Sequence, residues 1–354
     1  MKILRSSHIY LSLILLSVVS CRQDSFKTID NITVVPFSSY REMDGKLQAV
    51  LDSADILKLQ NVNSGKVVLS NYDKCVVQNG TIYILDEIRR IIAGYDYYGS
   101  LTSILDKKGR GPYEYLSISD FDVDSDGNIW VVDGRKNEII QYSKDLIPIR
   151  LIKPEAKIRK MKVLRTGDFL CELALWEKSS KYSSFQVVLC NDEFKIKKGL
   201  IPMPEINDDN YEFSSIGFSD GEYGIVYNKP IDDTLYVFSD AGELTEKIFF
   251  DFEEFSVPEK MKSNLEGNRR ALNEKLFLTN TIVITDTHIV GIIYRFGNPS
   301  NFIVDRKNGT VCYIPINDSR LLFLGASADY TIWHLSGDDL HPGSDNFLVL
   351  SKFQ

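Results

Sequence analysis

The amino-acid sequence predicts an all-β fold, a six-bladed β-propeller of four-stranded antiparallel blades. Short alternating runs rich in Val, Ile, Tyr and Phe are separated by clusters of Asp, Asn, Gly and Ser. One strand pattern recurs along the chain at a regular spacing, and no long helical period appears before residue 258. Regular repetition of short strands is typical of a propeller, because each sheet can bury its faces only against its neighbours.

The recurring pattern is the second strand of each predicted blade. It is found six times, at residues 80–86, 128–133, 167–173, 221–227, 287–294 and 330–335. From Thr81 to Thr331 there are 250 residues over five steps, or 50 per repeat. This spacing lies at the long end of the blade lengths known for propellers.

The best-defined unit covers residues 119–152, "SDFDVDSDGNIWVVDGRKNEIIQYSKDLIPIRLI". It predicts four antiparallel strands joined by tight turns. Asp126 and Gly127 suit a hairpin turn that needs positive φ, and Asp133 and Gly134 suit the next turn.

The last unit predicts how the ring closes. Its three strands, near 321–327, 330–335 and 346–352, leave it without an outer strand. The run "ADILKLQ" (54–60) alternates like a strand and belongs to no other unit, so we expect it to complete the last blade. The run "NITVVPF" (31–37) is the competing candidate.

The segment 257–278 interrupts the strand pattern. Pro258 suits a first helical turn, and four apolar residues share one face at helical spacing: Met261, Leu265, Leu272 and Leu276. The sequence therefore predicts an inserted helix, which Gly267 and Asn268 are expected to split in two.

The first residues differ from the rest of the chain. Lys2 and Arg5 precede the apolar run "IYLSLILLSVVS", which is too short to span a bilayer and ends at Cys21. With Val18, Val19 and Ser20 before the cysteine, the segment resembles a bacterial lipobox. That resemblance implies a lipoprotein signal peptide at 1–20, acylation of Cys21 and, since Arg22 follows, the outer membrane. A plain signal peptide with a chance cysteine is the alternative. Residues 21–50 are then a tether, and 51–354 the propeller.

Composition limits the partners. The chain has formal net charge −8, and loss of residues 1–20 removes two bases, which leaves 39 basic and 49 acidic residues. A protein this acidic is not expected to bind nucleic acid or an anionic membrane surface. The other cysteines are Cys75, Cys171, Cys190 and Cys312, without any CxxC pair. Cys171 and Cys190 fall in one predicted hairpin, where they are either a disulfide or two buried thiols.

In the segment 107–142, Gly109, Gly111, Pro112, Glu114 and Tyr115 precede the predicted inner strand. The segment resembles an NHL-type repeat of the six-bladed β-propeller lipoproteins common in Gram-negative gut anaerobes. In that family a glycine, any residue, then Gly-Pro-Gly-Glu-aromatic precedes the inner strand, and here Tyr113 replaces the usual glycine. The loop must therefore avoid positive φ at Tyr113 or accept strain there. The resemblance implies fold and location rather than an activity.

Propeller geometry groups the loops by face. The connections between blades and the turns between second and third strands share one face, here called the crossing face. Its predicted segments are 86–90, 107–115, 133–137, 176–182, 228–233, 295–301 and 336–345, and the inserted helix falls there too. The candidate ligand-binding residues on this face are Arg89, Arg110, Tyr113, Tyr115, Arg135, Trp176, Arg295 and His341. Arginine and aromatic side chains together suit a carboxylated or sulfated ligand.

Within the loop at 107–115, each residue has a predicted task. Gly111 and Pro112 set the corner between the first two blades, Glu114 accepts hydrogen bonds from loop amides, and Arg110 faces the ligand. For any single loop charge, pairing with a neighbour or with water is the competing interpretation.

Known catalytic motifs are missing. The sequence has no HExxH, GxSxG or Walker loop, and His288, His334 and His341 lack metal-ligand spacing. Lactonase-like propellers hold a cation at the starts of their inner strands. The corresponding positions are chemically mixed: Asp73, Asp120, Arg159, Ser214, Asn280 and Ser319. The set predicts no cofactor, with Ca²⁺ as the one open alternative. "DVDSDGN" (122–128) is read as a hairpin turn because the later acidic ligand of a calcium loop is absent.

Two hypotheses for function follow. The first is a lipid-anchored binding or scaffold module of the cell envelope that engages a glycan, a peptide or a partner protein. The second is a metal-assisted hydrolase or lyase of the NHL or lactonase type, with its site at the mouth of the central tunnel.

Overall fold

The computed structural model describes residues 27–29, 32–36, 40–42, 54–59, 69–174, 181–205, 208, 217–229, 231–316, 321–327, 330–335 and 347–352. They form six β-sheets arranged as the blades of a propeller, which confirms the predicted fold. In each blade the strands follow one another antiparallel, so consecutive runs of the sequence pair by short hairpins.

Blades 1 to 3 each take four consecutive strands. Blade 1 contains β5 (Lys74–Gln78), β6 (Thr81–Asp86), β7 (Ile91–Tyr95) and β8 (Leu101–Leu105). Blade 2 contains β9 (Asp120–Val123), β10 (Ile129–Asp133), β11 (Glu138–Tyr142) and β12 (Pro148–Ile152). Blade 3 contains β13 (Ile158–Val163), β14 (Phe169–Leu173), β15 (Phe185–Cys190) and β16 (Ile196–Pro202).

Blades 4 to 6 complete the ring. Blade 4 contains β17 (Phe218–Gly221), β18 (Gly224–Asn228), β19 (Thr234–Phe238) and β20 (Leu244–Asp251). Blade 5 contains β21 (Leu276–Ile284), β22 (His288–Arg295), β23 (Asn298–Asp305) and β24 (Val311–Pro315). Blade 6 contains β25 (Leu321–Ala326), β26 (Thr331–Leu335) and β27 (Phe347–Ser351), and its fourth strand comes from the N-terminal part of the chain.

That fourth strand is β4 (Ala54–Lys58), which pairs antiparallel with β27, so the predicted closure by residues 54–60 is confirmed. The competing run lies elsewhere. It forms β2 (Ile32–Pro36), which pairs parallel with β20 on the outer edge of blade 4 and antiparallel with β1 (Lys27–Ile29). A further strand, β3 (Tyr40–Glu42), pairs parallel with β24 of blade 5. The segment predicted as a tether, 21–50, thus contributes three strands to the rim, because the outer edges of blades 4 and 5 offer free backbone groups.

The hydrophobic core lies between neighbouring blades. At the boundary of blades 2 and 3, Trp130 packs edge-on against Phe169, with 4.9 Å between ring centroids. Cys171 and Cys190 are buried in the same cluster as free thiols. Burial raises the pKa of the Cys171 thiol well above its ordinary value. Each blade therefore depends on its neighbours for burial of its apolar side chains.

The predicted insertion is smaller than the helical pattern indicated. A 3₁₀ turn (Glu253–Phe255) is followed by two one-turn helices, α1 (Glu259–Lys262) and α2 (Arg269–Leu272). The split falls at Gly267 and Asn268, as predicted. Leu276 instead begins β21, because the alternating run "LFLTNTIVI" pairs with β22 and takes that residue into the blade core.

One turn recurs between the third and fourth strands of blades 1 to 4. Its first side chain accepts hydrogen bonds from the N–H groups two and four residues later, and the first residues are Asp96, Ser143, Asn191 and Ser239. Its fourth residue has positive φ, and these residues are Gly99, Leu146, Phe194 and Gly242. The turns between first and second strands lie on the same face, here called the hairpin face.

Candidate functional site

The predicted loop at 107–115 is a rigid corner on the crossing face. Glu114 accepts a hydrogen bond of 2.7 Å from the N–H of Gly111, which confirms its predicted role. Its carboxylate fills the space beside Gly109, where an added Cβ would lie 1.9 Å from Oε2. Lys136 Nζ donates to the carbonyls of Glu114 (2.7 Å) and Gly111 (3.3 Å). The corner is therefore held by its own side chains and by the next turn.

The two tyrosines of this loop differ in burial. Tyr115 is fully buried, and its hydroxyl makes three hydrogen bonds with main-chain groups of residues 90, 105 and 107. A ligand in solvent cannot contact it, so the ligand-binding role predicted for Tyr115 is replaced by a structural one. Tyr113 is 37% exposed and has φ +59°, so the loop accepts strain at this position. The hydroxyl of Tyr142 donates to the carbonyl of Tyr113 at 2.6 Å and offsets part of that strain.

The predicted arginines are spread over the crossing face. Arg89, Arg110 and Arg135 are exposed, and within the described part of the chain their guanidinium groups have no hydrogen bond or ion pair. Arg295 lies over the ring of Tyr313, with 3.7 Å between guanidinium carbon and ring centroid. Trp176, His341 and Cys21 lie outside the described residues. The structure thus places three free cations on one face without assembling them into a closed pocket of described residues.

In the second turn of blade 2, the residue with positive φ is not the predicted one. Gly127 has φ +84° as expected, but in the turn after β10 the left-handed residue is Asn137, φ +54°, and not Gly134. Gly134 is needed for space, since a Cβ there would lie 2.9 Å from the Ser119 hydroxyl. Asp133, which precedes it, accepts hydrogen bonds from the N–H of Leu116 and Arg135.

Charged side chains of the inner strands form a ladder inside the channel. Lys74 of blade 1 pairs with Asp120 of blade 2 at 2.8 Å. Lys162 of blade 3 contacts Asp122 of blade 2 at 2.8 Å and Asp220 of blade 4 at 2.7 Å. Burial alone would lower the pKa of Lys162, but the two carboxylates outweigh it and hold that pKa above its ordinary value. The ladder ties four consecutive blades together by charge-assisted hydrogen bonds.

The ladder also bears on metal binding. Among the described residues, no three His, Cys, Asp or Glu side chains are grouped to hold a metal ion. Of the predicted tunnel positions, Asp120 pairs with Lys74, Arg159 pairs with Glu172 at 3.1 Å, and Asp73 accepts a hydrogen bond from the N–H of Glu87 at 2.7 Å. Ser214, Ser319 and the side chain of Asn280 lie outside the described part of the chain. The carboxylates that could bind a cation there already have partners. The proposal of a metal-assisted enzyme stays a prediction.

A cavity of about 880 Å³ opens at the mouth of the channel on the hairpin face. Its wall is built from turns of five blades and includes Asn79, Asp124, Arg165, Glu222, Asp240 and Ser327. Lys162 and Asp220 lie at its floor, where the channel narrows to a pocket of about 20 Å³, roughly the room of one water molecule. The cavity is of the size that small-ligand sites have.

Two tyrosines stand at the edge of this cavity. Tyr223 is 46% exposed, and the guanidinium of Arg306 lies 4.1 Å from its ring centroid. The guanidinium Nη1 of Arg306 donates to the main-chain carbonyl of Thr285 at 2.8 Å, which fixes the guanidinium behind the ring. Tyr97 packs against Tyr330, with 6.2 Å between centroids. Both rings are therefore supported from one side.

The charge of the cavity is acidic. Its lining contains Asp124, Asp220, Glu222 and Asp240 against Lys162 and Arg165. Lys162 is neutralised by the ladder, and Arg165 pairs with Asp240 at 3.1 Å. Sequence reasoning missed this site because it concentrated on the crossing face, although the charged inner-strand residues Lys162 and Asp220 were the available signal.

Comparison with known proteins identifies the family of this chain. The chain matches the model of a domain of unknown function, DUF4934, over residues 32–338, and it belongs to that family. No curated protein matches it. A crystal structure from Bacteroides fragilis, of a protein assigned as exported, aligns with TM-score 0.72 and 17% identity over 91% of this chain and 100% of the other.

Two further solved structures align with most of the chain. A DUF4221 member from Bacteroides vulgatus aligns with TM-score 0.58 and 12% identity over 85% of this chain and 97% of the other. Virginiamycin B lyase from Staphylococcus aureus aligns with TM-score 0.44 and 13% identity over 85% and 99%. The first of these two similarities demonstrates shared fold alone, and the second, with the lower TM-score, supports no conclusion. Among the described residues, no helix is long and apolar enough to cross a membrane.

Proposed function

We propose that this protein is a non-catalytic binding module of the cell envelope that holds a neutral, polyhydroxylated ligand, a glycan, in the hairpin-face cavity. The observation that carries the proposal is the cavity itself, about 880 Å³ and edged by Tyr97 and Tyr223. Flat aromatic rings stack on the apolar faces of sugar rings, while carboxylates and amides accept and donate hydrogen bonds to hydroxyl groups.

The charges around the cavity favour a neutral glycan over the acidic ligand predicted for the crossing face. Four carboxylates line the cavity, and its two basic groups are already paired with Asp122, Asp220 and Asp240. An anionic ligand would approach a lining with four acidic and two basic side chains, including the Glu222 carboxylate, which has no partner among the described residues, and it would be repelled. Glu222 is exposed at the rim and is free to accept hydrogen bonds from sugar hydroxyls.

The test is binding of neutral and carboxylated oligosaccharides, measured by calorimetry. Tyr223→Ala is expected to weaken binding of the neutral sugar roughly threefold to tenfold, since one aromatic contact contributes about 0.5–1.5 kcal/mol. Tyr98→Ala is the matched control, because Tyr98 lies on the same face, is 81% exposed and does not line the cavity. Equal effects of the two substitutions, or tighter binding of the carboxylated sugar, would refute the assignment.

We infer further that the mature protein is anchored through a lipid on Cys21, in the outer membrane. Support comes from the residues Val18, Val19 and Ser20 before the cysteine, and from the fold shared with a protein assigned as exported. Cys21→Ala is expected to abolish labelling by radioactive palmitate and to move the protein to the soluble fraction. A variant that remains acylated and membrane-bound would show that the anchor is elsewhere.

A further inference from the structure

In blades 1 and 2 the two faces of the propeller carry opposite charge. In blades 1 and 2, and in the crossing from blade 2 to blade 3, the crossing-face connections are 87–90, 106–119, 134–137 and 153–157. They contain nine Lys and Arg residues and four Asp and Glu residues. The hairpin-face turns of the same blades, 79–80, 96–100, 124–128 and 143–147, contain one Lys and four Asp. An acidic protein therefore presents one locally cationic surface.

Several of these cations are available to a partner. Arg89, Lys107, Arg110, Arg135 and Lys153 are exposed, and none of these side chains has an ion pair or hydrogen bond with a described residue. Others are used internally, as when Arg90 donates to the Leu116 carbonyl. The free set surrounds the rigid corner at 107–115, so the positive charges are displayed on backbone that does not have to be ordered on binding.

Apolar side chains stand among the cations. Ile88 is 71% exposed and precedes Arg89, Tyr113 is 37% exposed in the loop that carries Arg110, and Phe296 is 38% exposed beside Arg295. All three lie on crossing-face loops. Exposed apolar and aromatic tips next to basic residues are typical of surfaces that rest on a lipid bilayer, where the tips enter the interface and the cations meet headgroups.

Strand directions place the N-terminal part of the chain on the same face. β20 runs toward the crossing face, because the chain leaves it for the insertion and blade 5. β2 is parallel to β20, and β1 is antiparallel to β2, so Lys27 lies at the crossing-face end of β1. Cys21 is six residues earlier, a reach of at most about 20 Å in extended chain.

We propose that the crossing face docks on an anionic lipid surface, with Arg89, Arg110 and Arg135 as its headgroup contacts and Ile88 as an apolar tip. The hairpin-face cavity then opens away from the bilayer. Only the position of the bilayer rests on the proposed anchor at Cys21. Weak electrostatic attachment and a lipid chain on one face together give stable binding and a fixed orientation.

The test uses a chain that begins at residue 22, which lacks the anchor and keeps every described strand. We expect it to sediment with vesicles of phosphatidylcholine and phosphatidylglycerol, but not with phosphatidylcholine alone, and to be released by salt. Arg89→Glu, Arg110→Glu and Arg135→Glu together are expected to lower partitioning about 100-fold, at about fivefold or more for each cation. Circular dichroism verifies that the variant is folded.

Matched controls separate the effect of the crossing face on vesicle binding from the effect of net charge. Lys144→Glu, Lys195→Glu and Lys307→Glu change the net charge equally, and these residues are exposed on the hairpin face outside the cavity lining. We expect a much smaller effect from them. Ile88→Ser is expected to lower partitioning about fivefold, whereas Ile147→Ser, on a 62% exposed hairpin-face residue, leaves it unchanged.

Three results would overturn the proposal. The first is failure of the wild-type chain to bind anionic vesicles, and the second is equal loss in the two triple variants. The third is binding of a sulfated or carboxylated oligosaccharide through Arg89, Arg110 and Arg135 without any vesicle binding, which would assign the face to a soluble anion. None of these results depends on sugar binding in the cavity, so the two proposals fail separately.

Discussion

Replacing Lys162 by methionine tests whether the charge ladder holds the blades together. Lys162→Met removes the ammonium group that lies 2.8 Å from Asp122 and 2.7 Å from Asp220. The Asp122 side chain is 1% exposed, so it would keep a buried charge with one remaining hydrogen bond, from the N–H of Val163 at 2.7 Å. Breaking a buried ion pair by removing one partner costs about 3–5 kcal/mol. The Asp220 side chain is 47% exposed and is hydrated instead, so it adds less than about 1 kcal/mol.

The free energy of unfolding, measured in urea, is therefore expected to fall by about 3 kcal/mol in Lys162→Met. Lys197→Met is the matched control, because Lys197 pairs with Asp168 in the same blade while 50% exposed, and its loss should cost less than about 1 kcal/mol. Adding Asp122→Asn to Lys162→Met removes the unpaired charge and should recover part of the loss. The reasoning fails if the two lysine variants lose equal stability, or if the double variant is less stable than Lys162→Met.

Four other substitutions test particular contacts. Glu114→Ala should lower the unfolding free energy by about 1–3 kcal/mol, because it leaves a loop N–H unsatisfied, whereas Arg110→Ala should leave the melting temperature nearly unchanged. Gly99→Ala should destabilise the ring closure, since the φ of Gly99 is +78° and a Cβ would lie 2.3 Å from the carbonyl oxygen of Lys58. The rate of proteolysis near residue 58 measures this destabilisation, and an unchanged rate would contradict the prediction. Burial raises the pKa of Asp233 to about 7, so its charging costs stability as pH rises from about 4 to 7. Asp233→Asn should stabilise the protein at pH 8 by about 1–3 kcal/mol and have little effect at pH 4, and melting curves at the two pH values decide it.

Much of the candidate site was beyond sequence reasoning. The arginines of the crossing face were predicted from strand order alone, since alternate hairpin turns must fall on opposite faces. Tyr115 was predicted as a ligand contact, yet its ring is the core of the corner. A tyrosine in a glycine-rich loop has the same appearance in sequence whether it points in or out. The cavity around Tyr223 was missed, because its walls come from turns of five blades that are distributed between residues 77 and 327 of the chain.

By itself the sequence determined the all-β class, the blade repeat and the strand that closes the ring. The class and the repeat depend on alternation within each strand and on turn residues, which are local features of the sequence. The closing strand could be predicted because the last blade lacked one strand and one predicted strand belonged to no other blade. A further local signal, the Asp, Ser or Asn that begins each third turn of blades 1 to 4, was present in the sequence at Asp96, Ser143, Asn191 and Ser239.

Only the tertiary structure decided which charges meet. Lys162 reaches Asp122 and Asp220 because three inner strands converge on one channel, and their sequence separations of 40 and 58 residues carry no information about that approach. The same is true of β2, whose apolar alternation indicated a strand but not its place. A strand's pattern specifies which side chains need burial, while its partner is set by the free edge that the folded blades leave available.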